Sequence, residues 1–384
     1  MKSILKLSAL TAALFVAQAA MATPSGLLSA DIGSLTPTTG NTSSPSNWRF
    51  APGQLFNGVA ALDGVALLEF TASDGGTYAC SGSLLQGGAY VLTAGHCADD
   101  FVGNMTVMFG YYNGVASVTR TVSQGNATLH PLWQGFDNSA DAGTDLAILK
   151  LSAPVTNIQG YKLSTTNDVG KTFLMAGYGT SGTATSSTGP NWNDGNYGHY
   201  GYNTFDVTSK TFNQAVDSVV AGWGYNAAYY TGTTYMSDFD NASGAAANNT
   251  LGRIAGVTGN AWTSGTGLGA NEALIAGGDS GGGDFVWDAA SGQWLLSAVH
   301  SWGWNGNQTN GTGACDFVGL TGCDTRPNNG SSYGDLSGST AVFDQQAWIN
   351  SVVNPAVPVP EPETYALMLA GLGLVAAAAR RRRA

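Results

Sequence analysis

The sequence predicts an all-β fold of short strands and long loops. Charged residues make up only 10% of the 384, so the straight-chain Lys and Glu that favour helices are scarce. Glycine reaches 54 residues and, with Ser, Thr and Asn, supplies turns throughout. Apolar residues come in short runs bounded by turn residues, at 65–70, 89–92, 104–109, 116–122 and 145–151. Hydrophobic residues reach 43%, ample for a core and unlike a disordered chain.

Each end has the composition of a sorting segment. Lys2 and Lys6 precede a mostly apolar stretch from Ala9 to Ala20, and Ala20-Met21-Ala22 offers a cleavage point before Thr23. That is the shape of a secretory signal over residues 1–22, the apolar run being short against the ~20 residues that span a bilayer. At the other end Val359-Pro360-Glu361-Pro362 leads into an apolar run from Tyr365 to Ala379 and then Arg380 to Arg383. The arginines stay cytoplasmic while the run reaches the membrane, giving transient membrane association. This order resembles the PEP-CTERM sorting signal of Gram-negative bacteria. The resemblance implies cleavage near Pro-Glu-Pro by an exosortase-type processing enzyme and a cell-surface or extracellular location. A plain transmembrane tail anchor is the alternative.

The formal net charge of −11 excludes a nucleic-acid partner, which needs a basic surface. Residues 23–54, rich in Ser, Thr, Pro and Gly, form a linker or pro-segment, and the globular domain runs 55–353, with 354–384 as the sorting segment. Ser181 to Ala270, full of Gly, Asn, Thr and Tyr, reads as long loop insertions. Ala347-Trp348-Ile349 belongs to a short terminal helix. Four cysteines, Cys80, Cys97, Cys315 and Cys323, fit two disulfides in an exported protein, or four thiols in a reduced one.

Three segments carry chemistry. In Thr93-Ala94-Gly95-His96-Cys97 an apolar strand leads to a histidine whose loop a Cys80–Cys97 bond would pin, as a general base requires. In Thr144-Asp145-Leu146 an acid heads an apolar strand, where it can be buried behind an imidazole to fix its tautomer. In Gly277-Gly278-Asp279-Ser280-Gly281-Gly282 glycines let the chain turn so that the N–H groups of Gly278 and Ser280 converge on one oxyanion. Each segment alone also has an ordinary structural explanation: a packed histidine, a strand-capping acid, a glycine-rich loop.

Together, in the order His, Asp, Ser, they resemble the trypsin or chymotrypsin family of serine peptidases. Thr93 to Cys97 matches its histidine motif with Gly95 for the usual Ala, and Gly278 to Gly282 its serine motif. Ser81-Gly82-Ser83-Leu84, Gly177-Tyr178-Gly179 and Ser301-Trp302-Gly303 are further matches, and the resemblance spans roughly Phe56 to Ile349. It implies two six-stranded antiparallel β-barrels with the active site between them. It also implies His96 as base, Asp145 as its orienter, Ser280 as nucleophile, Gly278 and Ser280 as oxyanion hole, and Ser301 to Gly303 alongside a protein or peptide substrate. No cofactor is implied.

The chain departs from the family in four places. The stretch between Asp145 and Ser280 is long. Leu274 stands where trypsin-type enzymes carry an Asp, which implies an apolar pocket, although His300 occupies a place where glutamate-selective relatives hold an acidic side chain. Ala276 replaces a usual Cys, leaving Cys315 and Cys323 as a local clip. Activation is open: a new N-terminus often pairs with the acid before the serine, here Asp279, and cleavage after Arg49 would create one. The competing functions are a catalytically silent, matrix-binding module and an esterase using the same triad. Asp238 and Asp240 are read as surface carboxylates rather than as a metal site.

Overall fold

The computed structural model describes residues 38–39, 44–184, 193–326 and 332–354; the secretory signal expected over residues 1–22 and the run expected to reach the membrane, 365–379, lie outside them. Among the described residues no helix is long and apolar enough to cross a membrane.

Two antiparallel sheets carry the fold. The chain enters through β1 (Thr38–Thr39) and β2 (Arg49–Phe50). A seven-stranded sheet follows, built from β3 (Val65–Ala72), β4 (Thr77–Leu84), β5 (Tyr90–Thr93), β6 (Phe101–Phe109), β7 (Val118–Ser123), β8 (Ala127–Leu129) and β9 (Ala147–Lys150). Its order is β7-β6-β3-β4-β5-β9-β8. The rest of the chain supplies β10 (Thr172–Gly177), β11 (Gly198–Thr204), β12 (Val207–Thr208), β13 (Thr234–Asp238), β14 (Ala273–Leu274), β15 (Gly283–Asp288), β16 (Gln293–Trp304) and β17 (Leu336–Ala341). With β2, all of these but β14 form an eight-stranded sheet in the order β12-β13-β17-β16-β15-β10-β11-β2, while β14 pairs with β1.

The expected pair of closed six-stranded barrels is therefore corrected. The sheets have eight and seven strands, and in neither does the last strand pair with the first. Closure requires a ladder between the terminal strands. The eight-stranded sheet ends in β12 and β2, two residues each, too short to sustain one. The seven-stranded sheet ends in the three-residue β8 and in β7, of which only Val122 is buried. Those two strands are consecutive in the chain, yet among the described residues each pairs only with its inner neighbour.

Leu68, Leu84, Val91, Leu92, Val107 and Phe109 fill the core of the first sheet and are inaccessible to solvent. In the second, β16 is buried on both faces from Leu296 to Trp304, because β15 and β17 flank it and further layers cover it. Part of that cover comes from the stretch read as loops. Thr208 caps a helix, Ser209–Asp217, by accepting the Thr211 N–H, and Asn249 caps another, Thr250–Val257, by accepting that of Gly252. Phe212, Ala215 and Val216 in one, and Leu251, Ile254 and Ala255 in the other, recur at i, i+3, i+4. These faces join Trp223, Trp262, Trp302 and Trp304 in a single apolar cluster. The helix expected around Ala347–Ile349 runs Gln346–Val353.

Candidate active site

β5 delivers the chain into a 3-10 turn, Gly95–Cys97, that carries His96. Cys97 is disulfide-bonded to Cys80 of β4, and Thr93 Oγ1 donates to the Ser81 carbonyl at 2.7 Å, so the turn is braced on both sides. Asp145 lies just before β9, which pairs with β5, and is fully buried. Its carboxylate takes the His96 N–H at 3.0 Å and faces His96 Nδ1 at 2.7 Å. A carboxylate only accepts, so Nδ1 carries the hydrogen and Nε2 of the neutral ring is left as acceptor. Nε2 is buried and finds no hydrogen-bond partner among the described residues. Burial works against the imidazolium. The charge and hydrogen bond of Asp145, with the charge of Asp99, outweigh it and hold the His96 pKa above the ordinary histidine value.

Two aromatic rings wall the imidazole. Phe136 meets it edge-on at 5.5 Å between centroids and Trp133 at 6.5 Å, with the Trp133 Nε1–H donating to Asp99 at 2.9 Å. Trp133 also accounts for Gly95. A Cβ there would stand 3.0 Å from both the Asp145 carboxylate and the Trp133 ring. Nothing in the sequence signalled Trp133 or Phe136 as neighbours of His96.

Ser280 sits in the glycine loop between β14 and β15. Its carbonyl accepts the Ser81 N–H at 2.7 Å and lies 3.6 Å from Cys97 Sγ, which sets the serine beside the turn of His96. The Ser81 hydroxyl donates to the Gly278 carbonyl at 2.9 Å. Two glycines after the serine are required by space. A Cβ on Gly281 would meet Thr93 Oγ1 at 2.0 Å, and one on Gly282 would meet the Ala176 carbonyl at 2.5 Å. Gly278 has φ +97°, a conformation that glycine alone adopts freely.

The residues expected along the substrate divide. Ser301 forms a bulge in β16 and its hydroxyl donates to Asp145 at 2.6 Å, a contact the sequence reading did not assign. Trp302 and Gly303 pair with Gly338 and Ser337 of β17. The Trp302 indole lies across Gly338, where a Cβ would come within 2.0 Å of it, and is only 1% exposed. Leu274 packs in an apolar cluster with Ala184, Phe239 and Tyr333. His300 is fully buried; Nε2 faces Asp284 at 2.7 Å and Nδ1 faces the Asp279 carbonyl at 3.1 Å, so both nitrogens are engaged inside the protein.

Asp279 accepts the N–H groups of Gly179 at 2.8 Å and Ala276 at 3.0 Å. Burial raises its pKa to about 6 against the opposing charge of His300 and those two amides. A cavity of about 30 Å³, roughly one water, borders Asp279, Leu274, His300 and His199. Arg49, considered above as a cleavage point, is held in β2: its Nε donates to Asp194 at 2.8 Å and its guanidinium lies 3.6 Å over the Tyr197 ring. Cys315 and Cys323 are bonded to each other.

Asp238 and Asp240 are corrected from surface carboxylates to buried ones, 1% and 3% exposed. They cluster electrostatically with Asp206 and Glu272. Among the described residues the one set of three His, Cys, Asp or Glu ligand atoms within a metal's reach is Cys80, His96 and Cys97. The two sulfurs are bonded to each other and offer no thiolate.

Two antiparallel sheets thus carry a buried aspartate that holds a histidine turn, with a serine in a glycine loop beside that turn. A family model described as Trypsin matches residues 65–216, and one described as a PEP-CTERM protein-sorting motif matches residues 358–383. The chain carries a peptidase S1 (trypsin-family) domain and a C-terminal PEP-CTERM sorting motif. The first match includes His96 and Asp145 and ends before Ser280. Among solved structures, that of HL collagenase is 18% identical, covering 81% of this chain and 98% of that one at a TM-score of 0.47. No curated protein matches.

Proposed function

We propose that the protein is an exported serine endopeptidase that hydrolyses peptide bonds through His96, Asp145 and Ser280. The observation that carries this is the Asp145 carboxylate, which holds both the backbone N–H and Nδ1 of His96 and so leaves Nε2 free to take a proton. Ser280 Oγ gives its proton to Nε2 as it attacks the substrate carbonyl. The N–H groups of Gly278 and Ser280 receive the oxyanion. His96 then returns the proton to the leaving amine, and water repeats the sequence on the acyl-enzyme. Catalytic hydrogen bonds are often long before substrate arrives, so the unpaired Nε2 fits a resting site.

The substrate backbone runs along Ser301 to Gly303 as an added strand. Leu274, in place of an acid, and the apolar Phe239 and Tyr333 beside it argue against cleavage after Lys or Arg. Residues 1–22 direct export, 23–54 link or precede the enzyme, 55–353 are the catalytic domain, and 354–384 are cut by an exosortase-type enzyme for delivery to the surface of a Gram-negative cell.

The test is incubation of purified protein with casein, with and without a serine-directed phosphonate, followed by mapping of the cut sites. Hydrolysis that the phosphonate and Ser280→Ala both abolish supports the reading, with cuts after apolar residues. Hydrolysis of esters but not casein supports the esterase. Inertness toward all substrates, with retained binding to matrix polymers, supports the silent module. Cuts mainly after Arg or Lys overturn the apolar pocket.

A further inference from the structure

In a trans peptide the C=O and N–H point in opposite directions in one plane, so pinning the carbonyl aims the amide. The two oxyanion donors belong to the peptides that begin at the carbonyls of Gly277 and Asp279. The first carbonyl accepts the Thr180 N–H at 3.0 Å and the second that of Gly282 at 2.8 Å. The second is also faced by His300 Nδ1 at 3.1 Å, while Nε2 of the same ring faces Asp284 at 2.7 Å. A carbonyl and a carboxylate both only accept. The ring satisfies both only with a hydrogen on each nitrogen, as the imidazolium.

We propose that His300, clamped as a cation between Asp284 and the Asp279 carbonyl, is a positioning residue that aims the Ser280 N–H into the oxyanion hole. This role rests on the reading of Ser280 as nucleophile. Gly282 makes room for it, since a Cβ there would stand 2.8 Å from both His300 Nδ1 and the Asp279 carbonyl. Burial disfavours the charge, but Asp284, through charge and hydrogen bond, and then Asp279 keep the His300 pKa above the ordinary value. The titratable groups facing it are Asp284 from β15, Asp279 from the glycine loop and His199 of β11 across the small cavity. Loss of one proton leaves the ring donating to Asp284 and presenting a lone pair to the Asp279 carbonyl. The clamp then repels what it held, and kcat falls at alkaline pH.

The experiment measures kcat and KM across neutral and alkaline pH in the full-length protein, on a peptide taken from the casein map. Removing a whole oxyanion donor costs about 10²–10³ in kcat, so misaiming one by His300→Leu is expected to cost about 10- to 100-fold with KM little changed. Asp284→Asn lets a neutral ring donate from Nδ1 and accept at Nε2. It should retain more activity than His300→Leu and lose the alkaline limb of the wild type. A folded His300→Leu with kcat within about threefold of wild type overturns the role. So does an Asp284→Asn variant with the wild-type alkaline limb, and that arm decides if His300→Leu does not fold. A wild type inert to casein and phosphonate removes the function and this role together, a result distinct from an active enzyme indifferent to position 300.

Discussion

The two sheets solve the burial of polar groups differently. In the seven-stranded half the buried acid, Asp145, is matched on every side: by the His96 N–H and ring and by the Ser301 hydroxyl. In the eight-stranded half Asp206, Asp238, Asp240 and Glu272 are buried together; burial raises the pKa of each, and the charges of neighbouring acids add to it at Asp206, Asp240 and Glu272, whereas at Asp238 the hydrogen bond from Asp206 works the other way. One carboxylate accepts from three donors, two of them on His96. The four others are driven toward the neutral form, because burying an unpaired charge is far more costly than burying an acid.

The sharpest way to break this contrast is to remove the matched acid. Asp145→Asn keeps the shape but favours the wrong tautomer of His96, and kcat should fall about 10⁴-fold while the fold, read by circular dichroism, is retained. A loss below about tenfold would mean that Asp145 only packs.

The disulfides allow the halves to be compared in stability. Cys80–Cys97 closes a separation of 17 residues and Cys315–Cys323 one of 8. Chain entropy assigns about 3 kcal/mol to the first and about 2.5 to the second. Replacing each pair by serine should lower the denaturation free energy in that order. The first replacement should also depress kcat, since it unbraces the turn of His96, whereas the second should act mainly on stability. Equal kinetic damage from both would erase the distinction.

Next in size is a pH effect. Burial, followed by the charges of Asp238, Glu272 and Asp206, raises Asp240 to about 10, and burial raises Glu272 to about 8 against the amides of Asp240 and Leu268. The folded protein therefore holds protons that the unfolded chain releases. Their stabilising contribution is complete below the ordinary carboxylate range and is lost as pH rises through about 8 and about 10. Scanning calorimetry should show Tm falling over that window, with a shallower fall in Asp240→Asn. A Tm that climbs across it would contradict the neutral cluster.

The smallest effect is at Gly95. Gly95→Ala places a methyl 3.0 Å from Trp133 and Asp145, tight enough to displace one of them. A loss of kcat of a few-fold is expected, relieved when Trp133→Leu is added; an undiminished Gly95→Ala would show that the turn has slack.

Legibility differed between the halves in the same way. His96 and Asp145 stand in local patterns, a strand then a turn and an acid then a strand, which one segment of sequence can express. The strands β3, β5, β6, β7 and β9 were visible as apolar runs for that reason. The helices Ser209–Asp217 and Thr250–Val257 were not, although Phe212, Ala215, Val216 and Leu251, Ile254, Ala255 keep helical spacing. Each is too short to be stable alone and owes its existence to the tryptophans it covers. Barrel closure was expected from family resemblance and failed at the sheet edges, where β2, β8 and β12 are too short for any pattern to show. The His300–Asp284 contact joins residues on two paired strands and the Ser301–Asp145 contact joins residues of different sheets, and no local motif encodes either.

Arg49 has a consequence for handling the native protein. A protease that reads arginine must lift several residues of extended chain into its own cleft. Here the arginine is bridged to Asp194, capped by Tyr197 and hydrogen-bonded along β11. The bond after it is therefore concealed until that sheet edge peels away. Added trypsin should cut there at a rate set by local opening, which makes Arg49–Phe50 a built-in gauge of how often the edge of the eight-stranded sheet comes undone.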